Sequence, residues 1–146
     1  PSDIRRIEGG IFNWGADMTY ENNPFELGLE RLVDFDMTGD CAAMDALRRI
    51  RDRGVERRIA GVELDGDPFP ALNFTKWPAH AEGRPVGQVT SAIYSPRLKK
   101  NIGYCWLPTS LAAPGTTVRV ASEWGPRTAT VTALPFVDPQ KRIPVS

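Results

Sequence analysis

With a single histidine, His80, and two widely separated cysteines, Cys41 and Cys105, this chain can supply neither a two-histidine metal site, nor a CxxC redox pair, nor four zinc thiolates. His80 follows Trp77-Pro78 ahead of a turn and reads as a loop histidine without a catalytic role. The acidic residues Asp17, Glu21, Glu26, Glu30, Asp34 and Asp36 share no spacing that implies a common cleft for general acid–base work, and they read as solvated loop charge. Arg6 and Glu8 lie two apart on a short helix, so they point in different directions and by type alone read as two surface charges. Trp14 stands apart from the other tryptophans because it falls in an irregular loop, where its ring can wall a flat heteroaromatic ligand. Trp77 is expected in a turn region and Trp106 and Trp124 in strands, with Trp106 alternating with Ile102 and Tyr104 in a sheet wall. Two basic clusters, Arg97 with Lys99 and Lys100, and Lys141 with Arg142, have the charge to meet a polyanionic tail, although lysine pairs in turns ordinarily serve solubility.

The elements that must hold these residues follow from periodicity. Ile4, Ile7 and Ile11 recur at helical spacing until Gly9-Gly10 breaks the pattern, which predicts the end of a helix over residues 2–8. The chain starts on this helix end without an initiator methionine, so a preceding segment is expected. Residues 13–24 are rich in Asn, Asp, Gly and Pro and read as a loop held by Trp14, Met18 and Tyr20 as apolar anchors. The alternation Val33-Asp34-Phe35-Asp36 predicts a short strand, and a domain junction is placed near Thr38. Asp40 is suited to cap the next helix, whose apolar face of Met44, Leu47 and Ile50 opposes a wet face of Arg48, Arg49, Arg51, Asp52 and Arg53, with Gly54 just past its end. From Arg57 onward the period changes to two, predicting strands over residues 59–64, 86–93, 102–107, 117–122 and 127–134. Turn residues at Asp65-Gly66-Asp67-Pro68, Glu82-Gly83, Ser95-Pro96, Pro114-Gly115 and Gly125-Pro126 separate them. Short strands at this spacing build a small closed barrel or sandwich. The predicted fold class is therefore α+β: mainly antiparallel β, a small Greek-key-like barrel with one amphipathic helix, preceded by a helix end and loop from an adjoining domain.

At 146 residues, 41% apolar and 25% charged, the chain has the composition of an ordinary globular domain. Eighteen basic residues balance eighteen acidic ones, so the general attraction that a nucleic-acid backbone requires is missing. No apolar run approaches a membrane span and no signal-peptide pattern opens the chain, which reads as cytosolic, with neither nucleic acid nor membrane as a partner. In that setting Cys41 and Cys105 read as two ordinary thiols.

Several motifs in order resemble the glycine cleavage T-protein (aminomethyltransferase) family. Arg6-Ile7-Glu8-Gly9-Gly10 with Asn13-Trp14-Gly15-Ala16-Asp17-Met18, then Asn23-Pro24-Phe25-Glu26-Leu27-Gly28-Leu29, are similar to consecutive family segments. Asp45-Ala46-Leu47, Gly87-Gln88-Val89-Thr90-Ser91, Ser95-Pro96-Arg97-Leu98, Asn101-Ile102-Gly103-Tyr104 and Pro135-Phe136-Val137 are similar to the family's C-terminal barrel. The resemblance departs at Ala92, where the family has glycine, and at Lys141-Arg142, where it often has tyrosines.

The resemblance implies that the chain is the last third of a three-domain tetrahydrofolate protein. Residues 1–38 would then end the folate-binding domain, and 39–146 would form the C-terminal barrel. It moves Arg6 from a surface charge to a cation of the folate and substrate cleft, with Trp14 as a second cofactor contact and Glu8 and Asp17 as weaker neighbours. The family's pterin-binding glutamate and the T-protein catalytic aspartate lie upstream of the resembling segments. The chain alone is thus expected to be inactive, to need the N-terminal part of the same protein as its partner, and to hold no catalytic residue and no metal. Residues 14–19 and 21–26 are most similar to the family's dimethylsulfoniopropionate demethylases, which implies methyl transfer from that small-molecule donor to tetrahydrofolate. The alternatives are aminomethyl transfer in glycine cleavage, a dimethylglycine- or sarcosine-type demethylating domain, a non-catalytic barrel acting in partner contact, and an unrelated barrel with affinity for oligonucleotide or carbohydrate. Arg6→Ala is expected to weaken folate binding with little loss of stability.

Overall fold

A computed structural model describes residues 2–36 and 42–140. The junction expected near Thr38, the cap Asp40, Cys41, and the pair Lys141 and Arg142 lie outside the described residues. Helix α1 (Ser2–Glu8) stops where Gly10 takes φ +73°. There the Ile11 N–H returns to the Arg6 carbonyl at 3.0 Å and the Gly10 N–H to that of Ile7 at 3.1 Å, the paired bonds of a Schellman end. Helix α2 (Ala42–Arg53) buries Met44, half-buries Leu47 and Ile50, and ends at Gly54 with φ +80°. Its expected wet face is partly engaged: Arg48 donates to the Phe35 carbonyl at 3.1 Å, and the Arg51 guanidinium lies 4.5 Å from the centre of the Phe35 ring.

Six antiparallel strands follow: β1 (Arg57–Leu64), β2 (Trp77–Ala81), β3 (Arg84–Ser95), β4 (Lys100–Pro108), β5 (Thr117–Ser122) and β6 (Gly125–Thr132). They close in the order β1-β4-β3-β2-β5-β6, with β6 returning to β1. The meander β2–β3–β4 with β1 beside β4 is the Greek-key arrangement.

Alternate side chains of each strand fill the barrel, among them Ala60, Val62 and Leu64 of β1, Cys105 and Leu107 of β4, and Val118 and Val120 of β5. Phe69, Trp77 and Trp124 extend this core, with ring centroids 5.2–5.6 Å apart. The opposite faces of β1 and β4 carry Ile59, Ile102, Tyr104 and Trp106, and these form a second cluster with Ile7 of α1 and Phe12 of the loop after it. Strand β4 is therefore buried on both faces, from Asn101 to Leu107.

Several expectations are corrected. Residues 33–36 form no strand: Glu30–Leu32 is a single 3-10 turn, and the Asp34 carboxylate accepts the Asp36 N–H at 3.0 Å, a local bond that competes with any ladder. Trp77 and His80 belong to β2, not to a turn; Pro78 hides this strand because it lacks an N–H, and pairing with β5 begins only at Ala79. Trp124 sits in the β5–β6 turn, whereas Gly125 and Pro126, expected in a turn, open β6.

Candidate functional site

The site grows from a break in the alternation of β3. Val89 and Ala92 both face the barrel interior although they are three residues apart, because the pairing of β3 with β4 shifts between Val89 and Ser91. A β-bulge of this kind leaves two successive side chains on one side of the strand, where regular pleating would separate them. Gly103 stands opposite: a Cβ there would lie 2.3 Å from the Ser91 carbonyl oxygen, so only glycine admits the bulged backbone.

The two hydroxyls exposed outward by the bulge converge on one carboxylate. Thr90 Oγ1 and Ser91 Oγ each donate to Asp17 Oδ1 at 2.6 Å. Asp17 Oδ2 accepts from Arg6 Nη1 at 2.8 Å and from the Asn13 N–H at 2.8 Å. The Asp17 carbonyl accepts from Trp106 Nε1 at 2.9 Å. The Asp17 side chain has no exposed area and that of Arg6 is 11% exposed, so this ion pair is desolvated, and four donors offset the cost. The Tyr104 hydroxyl, rising from β4, lies 3.1–3.3 Å from the carbonyl oxygens of Arg6, Ile7 and Ile11 and shares its one proton among them, which seats the end of α1 on the barrel. Burial raises the Tyr104 pKa, with Arg6 opposing and Asp17 adding to the shift.

Arg6 and Asp17 are thus brought together, and the reading of Asp17 as solvated charge is overturned. Glu26 is also buried, where it accepts from Arg57 Nε at 3.1 Å and the Asn23 N–H at 3.1 Å. Glu8 is not a surface charge either, since it is buried and accepts the Ser95 hydroxyl, tying α1 to the end of β3. Trp14 lies in the turn that Asp17 closes: the Asp17 N–H bonds the Asn13 carbonyl at 2.9 Å and the Gly15 N–H that of Met18 at 2.8 Å. Trp14 is 57% exposed, and its ring meets that of Tyr20, a residue 93% exposed, edge-on at 4.6 Å. These two rings are therefore not the anchors of the loop, which is held by the Asp17 hydrogen bonds. A cleft of about 670 Å³ lies beside Gly10, Ile11, Gly61 and Leu134, and neither Arg6 nor Trp14 lines it. His80 is half-buried on β2, and Lys100 pairs with Glu63 at 3.0 Å while Arg97 and Lys99 stay exposed. The residues missed from sequence, Asp17 as hub with Thr90 and Ser91 as its donors, carried one readable signal: adjacent hydroxyls between apolar residues spaced three apart.

Residues 57–138 match the model of the glycine cleavage T-protein C-terminal barrel domain. The chain belongs to this family. It is 37% identical over 134 residues to an aminomethyltransferase of Synechococcus sp. (strain CC9902), covering 92% of the chain and 36% of that protein. It is likewise 37% identical over 131 residues to the dimethylsulfoniopropionate demethylase DmdA of Ruegeria pomeroyi, covering 90% of the chain and 35% of that protein. The crystal structure of glycine cleavage system aminomethyltransferase T from Bartonella henselae shares the fold, with TM-score 0.81 at 21% identity over 92% of the chain and 37% of that structure. The chain spans little more than a third of the length of the relatives it matches. Among the described residues, no helix is long and apolar enough to cross a membrane.

Proposed function

We propose that the chain is the C-terminal part of a cytosolic tetrahydrofolate-dependent one-carbon transferase. In this reading residues 1–38 complete the folate-binding domain, 39–146 form the barrel that closes the cleft, and Arg6 and Trp14 bind the cofactor. The observation that carries it is the Trp14 turn, whose backbone is fixed by hydrogen bonds to a buried carboxylate and which presents a large, mostly exposed aromatic residue. A ring presented in this way offers a flat surface to a heteroaromatic ligand at little further ordering cost. Arg6 complements it: its Nη1 is committed to Asp17 and its Nη2 to Ser91, whereas its Nε makes only a 3.4 Å contact with half-exposed Asp3 and is the donor left for an anionic or carbonyl group.

Tetrahydrofolate, when bound, supplies the N5 lone pair that accepts the one-carbon unit. Arg6 and Trp14 hold and orient it, and α1 and the loop shield one side of the cleft from water. The favoured donor is dimethylsulfoniopropionate, whose sulfonium keeps the C–S electron pair on leaving as a neutral thioether. Aminomethyl transfer stands as the second reading because the Synechococcus aminomethyltransferase is equally identical to the chain. The upstream glutamate and aspartate implied by family resemblance would be supplied by the rest of the protein, leaving this chain inactive alone.

Calorimetric titration of tetrahydrofolate into this chain and into the full-length protein tests the reading. Binding only to the full-length form is the expected result, and methyl transfer assayed with each donor then separates the two substrates. Binding to neither form overturns it in favour of a non-catalytic barrel.

A further inference from the structure

We propose that Asp17 is a positioning residue of the folate site, acting through Arg6 and the Trp14 turn, and that the bulge of β3 exists to serve it. The inference rests on the reading that Arg6 and Trp14 contact folate. With no exposed side-chain area, Asp17 cannot itself touch a ligand. Its two oxygens take four donors from three parts of the chain: Arg6 on α1, the Asn13 N–H at the base of the Trp14 turn, and the Thr90 and Ser91 hydroxyls on β3. A carboxylate held on both oxygens cannot rotate, so the direction of the guanidinium and the pitch of the turn are set together. Ser91 Oγ also accepts from Arg6 Nη2 at 3.3 Å, which fixes the plane of the guanidinium as well as its position. Without the bulge, Thr90 and Ser91 would point to opposite faces and only one could reach Asp17.

The test uses the full-length protein and tetrahydrofolate affinity measured by calorimetry below the melting temperature of each variant. Thr90→Val removes one hydroxyl while keeping the volume, and is expected to weaken folate binding roughly tenfold, the scale of a hydrogen bond to a charged group. Thr90→Ser keeps the donor and is expected to restore affinity to within about twofold of the parent. In an Arg6→Ala background, Thr90→Val is expected to lose clearly less affinity than in the parent, because the part of its effect that passes through Arg6 is already gone. A merely structural role would lower the melting temperature of Thr90→Val with affinity unchanged, or would give equal losses in both backgrounds, and either result overturns the proposal. Asp17→Asn is the direct variant; should it fail to fold, the Thr90 pair decides. If Arg6→Ala alone leaves folate affinity unchanged, the folate reading itself fails. If Arg6→Ala weakens binding and Thr90→Val does not, only the positioning role fails.

Discussion

Arg6→Ala discriminates most sharply between reading residue types and reading the structure. As a cleft cation, Arg6 is expensive for binding and cheap for stability. As the partner of a fully buried carboxylate, its loss leaves Asp17 charged and underpaired, a change that ordinarily costs about 3–5 kcal/mol. The structure places this case near the lower end, because Asp17 keeps the Thr90 and Ser91 hydroxyls and the Asn13 N–H, and Arg6 is 11% exposed. A loss of roughly 3 kcal/mol in a unit of this size lowers the melting temperature by about 6–12 °C. Thermal unfolding followed by near-ultraviolet circular dichroism measures it, with Trp106 reporting on the site through its bond to the Asp17 carbonyl. Because the penalty arises from an unpaired charge, Arg6→Ala combined with Asp17→Asn should lose less than the sum of the two single variants. The loss should also persist in high salt, which screens exposed pairs such as Lys100–Glu63 but not a desolvated one. A fall below about 2 °C, or strict additivity, would refute the claim that this ion pair holds α1 to the barrel.

Three further outcomes follow from the core. Gly103→Ala drives a Cβ to 2.3 Å from the Ser91 carbonyl oxygen and 3.1 Å from Ala92 Cα, so backbone must move against backbone. It should cost roughly 3 kcal/mol in urea unfolding, against about 1 kcal/mol for Gly83→Ala, where only the φ of +76° is at issue; equal costs would remove the steric argument for the bulge. Burial pushes the Cys105 thiol up from 9.0 to about 12, so native protein at pH 8 should leave its peptide unalkylated by iodoacetamide, as read by mass spectrometry. A raised pKa stabilises the fold fully below pH 9 and loses that contribution as pH climbs from 9 towards about 12; Tyr104 is shifted in the same sense. Stability should therefore fall across that window, and less steeply in Cys105→Ala; an identical slope would show that the thiol does not titrate with unfolding.

What could be read in advance was whatever local pattern determines. Both helices and strands β1 and β3–β6 announce themselves through apolar periodicity and through glycines such as Gly10 and Gly54 that end helices in the left-handed region. Strand β2 escaped because it is five residues long and contains Pro78, and Val33-Asp34-Phe35-Asp36 misled because alternation in four residues is weak evidence when an aspartate can satisfy the backbone itself. The site was harder for a related reason. An aspartate in a Gly- and Asn-rich loop is ordinarily solvated, and what buries Asp17 arrives from Thr90 and Ser91, 73 and 74 positions away. No spacing within residues 13–18 encodes that encounter.

Beside the adjacent hydroxyls of β3, a trace of it lies in β4, whose unbroken apolar run is excessive for a barrel strand that fills a core on one side and meets water on the other. An antiparallel strand of this kind should alternate, yet Ile102, Tyr104 and Trp106 face outward and are buried. Such a strand requires a cover, and the cover is α1 with the loop that follows it. The covered face is also what orders the loop, since Trp106 bonds the Asp17 carbonyl, Tyr104 seats the end of α1, and the bulge across from Gly103 delivers both hydroxyls to the Asp17 carboxylate. The barrel wall and the seat of Arg6 and Trp14 are consequently one packing unit, and a change that shifts β3 against β4 displaces the guanidinium without touching it.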